Sequence, residues 1–146
     1  APTDTDADGL PDLWELATGS DPKRANHNDP VSGDSFIGSG YKRIEEYLHF
    51  LATPHGWLTN SGSARLEVNL RRYVRGFTLN PPVNFALSRS TNGNATLTNE
   101  GIAAFVPKPG YLGRAQFDFS VTDGEGSHWT QTFHVLITPP PPRPSK

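Results

Sequence analysis

The sequence predicts a mostly β chain, an antiparallel β-sandwich preceded by a small helical unit built on an acidic loop. Three observations predict it. Gly and Pro, 14 of each, make up about 19% of 146 residues, against a usual sum of about 12%, which favours many turns and excludes a helical bundle or coiled coil. From Leu66 onward apolar residues alternate with polar ones, the period-two pattern of half-buried strands. Charge divides the chain: residues 1–56 carry ten acids and four bases, net −6, whereas residues 57–146 carry nine bases and five acids, net +4. Such a split suggests two units with different jobs. The expected boundaries are 1–56 for the acidic unit, 57–138 for the sandwich and 139–146 for a proline-rich linker.

Composition removes several function classes. With no Cys, disulfides, zinc–thiolate sites, iron–sulfur clusters and thiol catalysis are excluded. No apolar run is long enough to span a membrane. Phosphate-loop and His-Glu-x-x-His motifs are absent, and the five histidines (27, 49, 55, 128, 134) show no ligand spacing. The chain opens on Ala-Pro-Thr without Met or a signal core, and closes on a proline-rich stretch. Both features read as a processed or excised piece of a larger modular protein.

The first element is the loop Asp4-Thr-Asp-Ala-Asp-Gly-Leu-Pro-Asp-Leu-Trp-Glu15. It matches the twelve-residue calcium template position by position. Asp4, Asp6 and Asp8 take positions 1, 3 and 5, Gly9 the sharp turn, and Leu10 the backbone carbonyl at position 7. Asp12 takes position 9 and Glu15 the bidentate position 12. Calcium is a hard cation that takes about six to eight oxygens, and alternating Asp residues on a tight loop converge carboxylates on one point. A helix over Pro11–Ala17 follows, with Leu13, Trp14 and Leu16 or Ala17 for packing and Gly19 to close it. A second helix over Tyr41–Ala52 carries Ile44, Tyr47, Leu48 and Leu51 at helical spacing and ends before Pro54. A unit this small buries little surface, so calcium is expected to supply folding free energy and not catalysis.

This loop resembles the calcium repeats of the thrombospondin type 3 kind, and similar loops occur in the protective-antigen toxin component. The continuation Gly19-Ser-Asp-Pro22 and Gly40-Tyr-Lys-Arg-Ile-Glu-Glu-Tyr-Leu48 resembles a stretch appended to bacterial pectate lyases. There a second acidic loop is usual; here Ser35, Ile37 and Ser39 stand where its Asp residues would be, so that loop is degenerate. Asn26, Asn28, Asp29 and Asp34 lie upstream, within reach of a cation. The protective-antigen arrangement implies a second ion drawing on Asp21, Asn28, Asp29, Asp34 or Glu46.

The sandwich strands are legible as alternations: Leu66/Val68/Leu70, Val83/Phe85/Leu87, Phe117/Phe119/Val121 and Phe133/Val135/Ile137. Turn clusters at Asn80–Pro82, Asn92–Asn94, Asn99–Gly101, Pro109–Gly113 and Asp123–Gly126 separate them. The segments Asn92-Gly-Asn-Ala-Thr96, Phe105-Val-Pro-Lys-Pro-Gly-Tyr-Leu-Gly113 and Phe117-Asp-Phe-Ser-Val-Thr-Asp-Gly124 resemble the cadherin-like, immunoglobulin-type tandem domains of bacterial secreted proteins. That resemblance implies a fold and says little of function.

Two functions stay open. Neither unit offers a pair of acids in a catalytic setting, so the chain is expected to be a non-catalytic, calcium-stabilised appendage of a secreted, extracellular bacterial enzyme that degrades polysaccharide. In the first reading it binds plant cell-wall glycan, pectin-like or other, for the catalytic domain of the same parent chain. Arg71, Arg72 and Arg75 would then pair with uronate carboxylates and Trp57, Tyr111 and Trp129 would stack on sugar faces. In the second it is a rigid spacer or protein-interaction module, its arginines solvated or paired with the acidic unit and its aromatics structural. Neither nucleic acid nor a membrane is an expected partner.

Overall fold

The computed structural model describes residues 3–31, 35–38, 40–61, 63–74, 81–99 and 101–140. Two helices come first, α1 (Asp12–Thr18) and α2 (Arg43–Ala52). Seven strands follow: β1 (His55–Thr59), β2 (Leu66–Asn69), β3 (Asn84–Thr91), β4 (Gly93–Asn99), β5 (Ile102–Pro107), β6 (Gly113–Thr122) and β7 (His128–Thr138). They form two sheets, β1-β7-β6-β3 and β2-β5-β4, the two-layer arrangement of a β-sandwich.

Alternation decides which side chains lie between the sheets. Along β6 every second residue from Gly113 to Val121 is buried, including Phe117 and Phe119 at 0% exposure. Phe105, Phe117 and Phe133 stack at centroid distances of 5.3–6.0 Å. The expected antiparallel pairing holds for β2–β5, β4–β5, β3–β6 and β6–β7, but β1 runs parallel to β7, with His55 opposite His134. The reason is the entry direction: the chain leaves α2 beside the start of that register and follows β7 in the same sense. Strand β1 also crosses the 56/57 boundary expected from sequence.

Strand β7 is buried on both faces. Phe133, Val135 and Ile137 point into the sandwich, while His134, Leu136 and Thr138 are buried on the outer side. The helical unit supplies that cover: Leu136 packs with Leu10, Trp14, Ala17, Tyr47 and Phe50. Trp57 on β1 packs against this cluster, 6.4 Å from Trp14 and 5.6 Å from Phe50. Leu48 and Leu51, expected inside, are exposed on α2 (56% and 42%), and Leu13 and Leu16 are exposed on α1. Tyr47 is buried as expected, and Glu46 and Phe50 share its face, because that face meets the sheet.

An ion pair joins the units. Arg114 on β6 donates from Nε and Nη2 to both oxygens of Glu46, each at 2.7 Å. Glu46 is 1% exposed and also accepts the Phe36 N–H at 2.7 Å. A planar fork on a carboxylate fixes orientation as well as distance.

Candidate metal centre

The acidic loop is shaped by its own backbone. Ala7 (φ 56°) and Gly9 (φ 95°) both take the left-handed conformation, folding the chain back on itself. Each Asp then spends an oxygen on a loop N–H. Gly9 N donates to Asp4 Oδ2 at 2.9 Å, Asp8 N to Asp6 Oδ1 at 3.3 Å and Leu10 N to Asp8 Oδ1 at 2.9 Å. One carboxylate oxygen from each of Asp4, Asp6 and Asp8 lies within 4.8 Å of the others. That spread suits oxygens around one cation at about 2.3–2.6 Å.

Several other oxygens of the loop have no donor, although Asp8 Oδ2 accepts from Asn26 N. Asp4 Oδ1, Asp6 Oδ2, Glu15 Oε2 and Asn26 Oδ1 are buried without a hydrogen-bond partner. All four are acceptors, and buried acceptors ordinarily find a partner. Glu15 sits at 0% exposure on α1, its Oε1 accepting from Ser20 Oγ at 3.3 Å.

The charges strain against one another accordingly. Burial, then repulsion from Asp8 and Asp6, pushes the Glu15 carboxyl up to about 7. Burial also raises Asp6, with Asp8 adding to it. Burial would raise Asp8 too, but the N–H groups of Asn26 and Leu10, with His27 nearby, hold it below the ordinary carboxylate value. A divalent cation would favour every one of these carboxylates in its ionised form.

The other expected ligands are distributed differently. Asp12 accepts from both Thr5 N and Thr5 Oγ1, so it braces the loop entrance. Leu10 is wholly buried, which anchors the position-7 backbone. Asp21 is exposed and caps the turn at Lys23 N, and Asn28 is exposed beside His27. Asp29 supplies its backbone carbonyl to Arg43 N at 2.9 Å. Asp34 lies outside the described residues. Glu46, expected as a contributor to a second ion, is committed to Arg114; a residue buried by tertiary packing against a strand 68 positions away carries no local mark of it. Asn26 is a downstream residue that reaches the loop, its N–H donating to Asp8 Oδ2 at 3.0 Å.

The described glycan candidates lie in several different surroundings. Trp57 belongs to the helical cluster, and Trp129 packs on the sandwich core. Tyr111 donates its hydroxyl to Arg114 O at 2.7 Å and accepts from Asn92 Nδ2, locking the β5–β6 crossing. Arg71 lies over the Phe85 ring at 5.1 Å. Arg72 lines a separate cleft with His55, Tyr73 and Gln131. Arg75 lies outside the described residues. The aromatics were legible as aromatics; which ones pack inside depends on which strand faces they share.

Residues 81–138 match the family model of a cadherin-like domain. The sandwich is thus cadherin-like over β3–β7. The match begins after the acidic loop, both helices, β1 and β2. No curated protein matches the chain. Among the described residues, no helix is long and apolar enough to cross a membrane.

Proposed function

We propose that the chain is a calcium-stabilised, non-catalytic module of a secreted bacterial polysaccharide-degrading enzyme, in which the ion holds the helical unit as a rigid cap on the cadherin-like sandwich. The observation that carries this reading is the set of buried, donorless carboxylate oxygens on Asp4, Asp6 and Glu15. The thrombospondin type 3-like spacing of the loop supports calcium as the ion, since a hard cation takes carboxylate and carbonyl oxygens. Its role is structural: binding free energy at such a site is folding free energy. The acids outside the loop support a non-catalytic reading. Glu46 holds Arg114, Asp118 accepts from Thr132 Oγ1 at 2.7 Å, and Asp123 accepts the N–H groups of Glu125 and Ser127 in a hairpin.

The test is a thermal melt at pH 7.5 with calcium and with a chelator. Calcium is expected to raise the transition, and Asp6→Ala to abolish that rise. An identical melt under both conditions would sink the reading.

One observation favours glycan binding as an added role. A cleft of about 590 Å³ opens where α2, β1 and β7 meet, lined by His55, Arg72, Tyr73 and Gln131. Gln131 Oε1 is buried there without a partner. An aromatic ring among polar groups is the usual dress of a sugar subsite. Affinity electrophoresis on polygalacturonate is expected to retard the chain, and Arg72→Ala to relieve the retardation. No retardation on acidic or neutral polysaccharides leaves the module a spacer.

A further inference from the structure

The loop falls short of what calcium takes. Three carboxylates with a donorless oxygen at most, and one backbone carbonyl, leave room in a shell of about six to eight oxygens. Asn26 stands beside that gap. It is 7% exposed, and its backbone N–H reaches Asp8 Oδ2 at 3.0 Å. Its side-chain NH₂ donates to Ser20 Oγ at 2.7 Å, and Ser20 in turn donates to Glu15 Oε1 at 3.3 Å. Asn26 is therefore tied to Asp8 directly through its backbone and to Glu15 through Ser20, with its side-chain donor engaged and its Oδ1 buried and unpartnered. A buried amide oxygen without a donor is costly, and a cation held by the neighbouring loop would supply its partner.

We propose that Asn26 Oδ1 is a ligand of the loop cation, and that through it the ion fastens residues 26–29 and the start of α2 to the loop. This rests on the calcium reading above. The mechanical path is short. Asn26 O accepts Asp29 N, His27 O accepts Ile44 N and Asp29 O accepts Arg43 N, each at 2.9 Å. Arg43 and Ile44 open α2, and N–H groups in a first helical turn have no partner within the helix. Residues 27–29 supply those partners from outside. Pulling Asn26 onto the ion thus sets the cap of α2, the helix whose Glu46 grips the sandwich.

The experiment is a calcium titration by calorimetry on the wild type, Asn26→Ala and Asn26→Asp, with amide exchange at Arg43 and Ile44 followed in calcium and in chelator. Asn26→Ala is expected to lose about tenfold or more in calcium affinity. Calcium should slow exchange at Arg43 and Ile44 in the wild type and leave it unchanged in Asn26→Ala. Asn26→Asp should bind at least as tightly as the wild type, with a lower melting temperature in chelator. Wild-type affinity in Asn26→Ala, beside an intact calcium-dependent melt, overturns the ligand role and leaves the calcium reading standing. No binding by the wild type removes both. If Asn26→Ala fails to fold, weaker calcium binding by Asn26→Asp overturns the proposal.

Discussion

The sandwich and the helical unit are held together by opposite means. Between the sheets lie Phe105, Phe117, Phe119 and Phe133, each at most 2% exposed, packed with Val68, Leu70, Val121, Val135 and Ile137. The helical unit has its own aromatic cluster on Trp14, with Tyr47 at 5.0 Å and Phe50 at 5.1 Å. Beside that cluster it buries Glu15 and gathers Asp4, Asp6 and Asp8. Apolar burial is favourable under any ordinary solution condition, whereas gathered carboxylates are favourable only with a counter-charge. The sandwich core therefore needs no ion, whereas the helical unit has a neighbour to cover and, on the calcium reading proposed above, an ion to hold. Strand β7 belongs to both, since its two faces serve two cores.

The contrast can be broken most directly in the sandwich. Phe117→Ala should cost about 3–5 kcal/mol, by the same amount in calcium and in chelator, as read from denaturant melts. A cost that depends on calcium would mean the two regions do not differ as described. Next is the clamp. Glu46→Ala leaves Arg114, whose side chain is 13% exposed, with a buried unpaired charge, and should cost about 3 kcal/mol. In Glu46→Ala the single transition should separate into two, followed by Trp fluorescence for the helical cluster and by far-UV dichroism for the sandwich.

The smallest effects are in pH, and they run in opposite directions. A carboxyl raised to about 7 in the fold, like Glu15, is protonated there while its unfolded counterpart ionises. Its contribution is thus fully present below about 4.5 and is lost as pH rises toward 7, by at most about 3 kcal/mol in chelator. Calcium should remove that alkaline loss. His134 does the reverse. It is buried between α2 and the sheet, with Thr53 Oγ1 at 3.1 Å and the Phe36 ring at 4.8 Å. Burial, then His49 and His55, lowers it to about 4, against a weaker upward pull from Asp118 and Glu46. Its contribution is present above about 6.5 and is lost as pH falls toward 4, by at most about 3 kcal/mol. His134→Gln should flatten that acid limb in calcium, and chelator melts from pH 4.5 to 7.5 should show the Glu15 limb. An acid limb unchanged in His134→Gln would place the sensitive group elsewhere.

Much of this was legible in the residues. Helix α1 ends at Gly19, left-handed at φ 83°, and α2 ends at Thr53 before Pro54, as the local signals require. The inward set on β6 follows its alternation without exception. The acidic loop brings Asp4, Asp6 and Asp8 together as its spacing demands. Less legible was β1, a short parallel edge strand whose Gly56 and Trp57 show no alternation. On α2 the apolar stripe pointed to Leu48 and Leu51, yet Phe50, about 100° round the helix from Leu51, is inside, packed against Trp14, Phe36 and Trp57.

What the sequence determined by itself is what short-range geometry controls. Carboxylates two residues apart on a tight turn must converge, and side chains two apart on a strand must share a face. Tertiary structure alone decided which outer faces are covered and which charges meet. Leu136 and His134 are buried because a separate unit lies over β7, Arg114 finds Glu46 across 68 positions, and Asn26 reaches Asp8 across 18. Those contacts depend on how two surfaces settle against each other, and no local period records that.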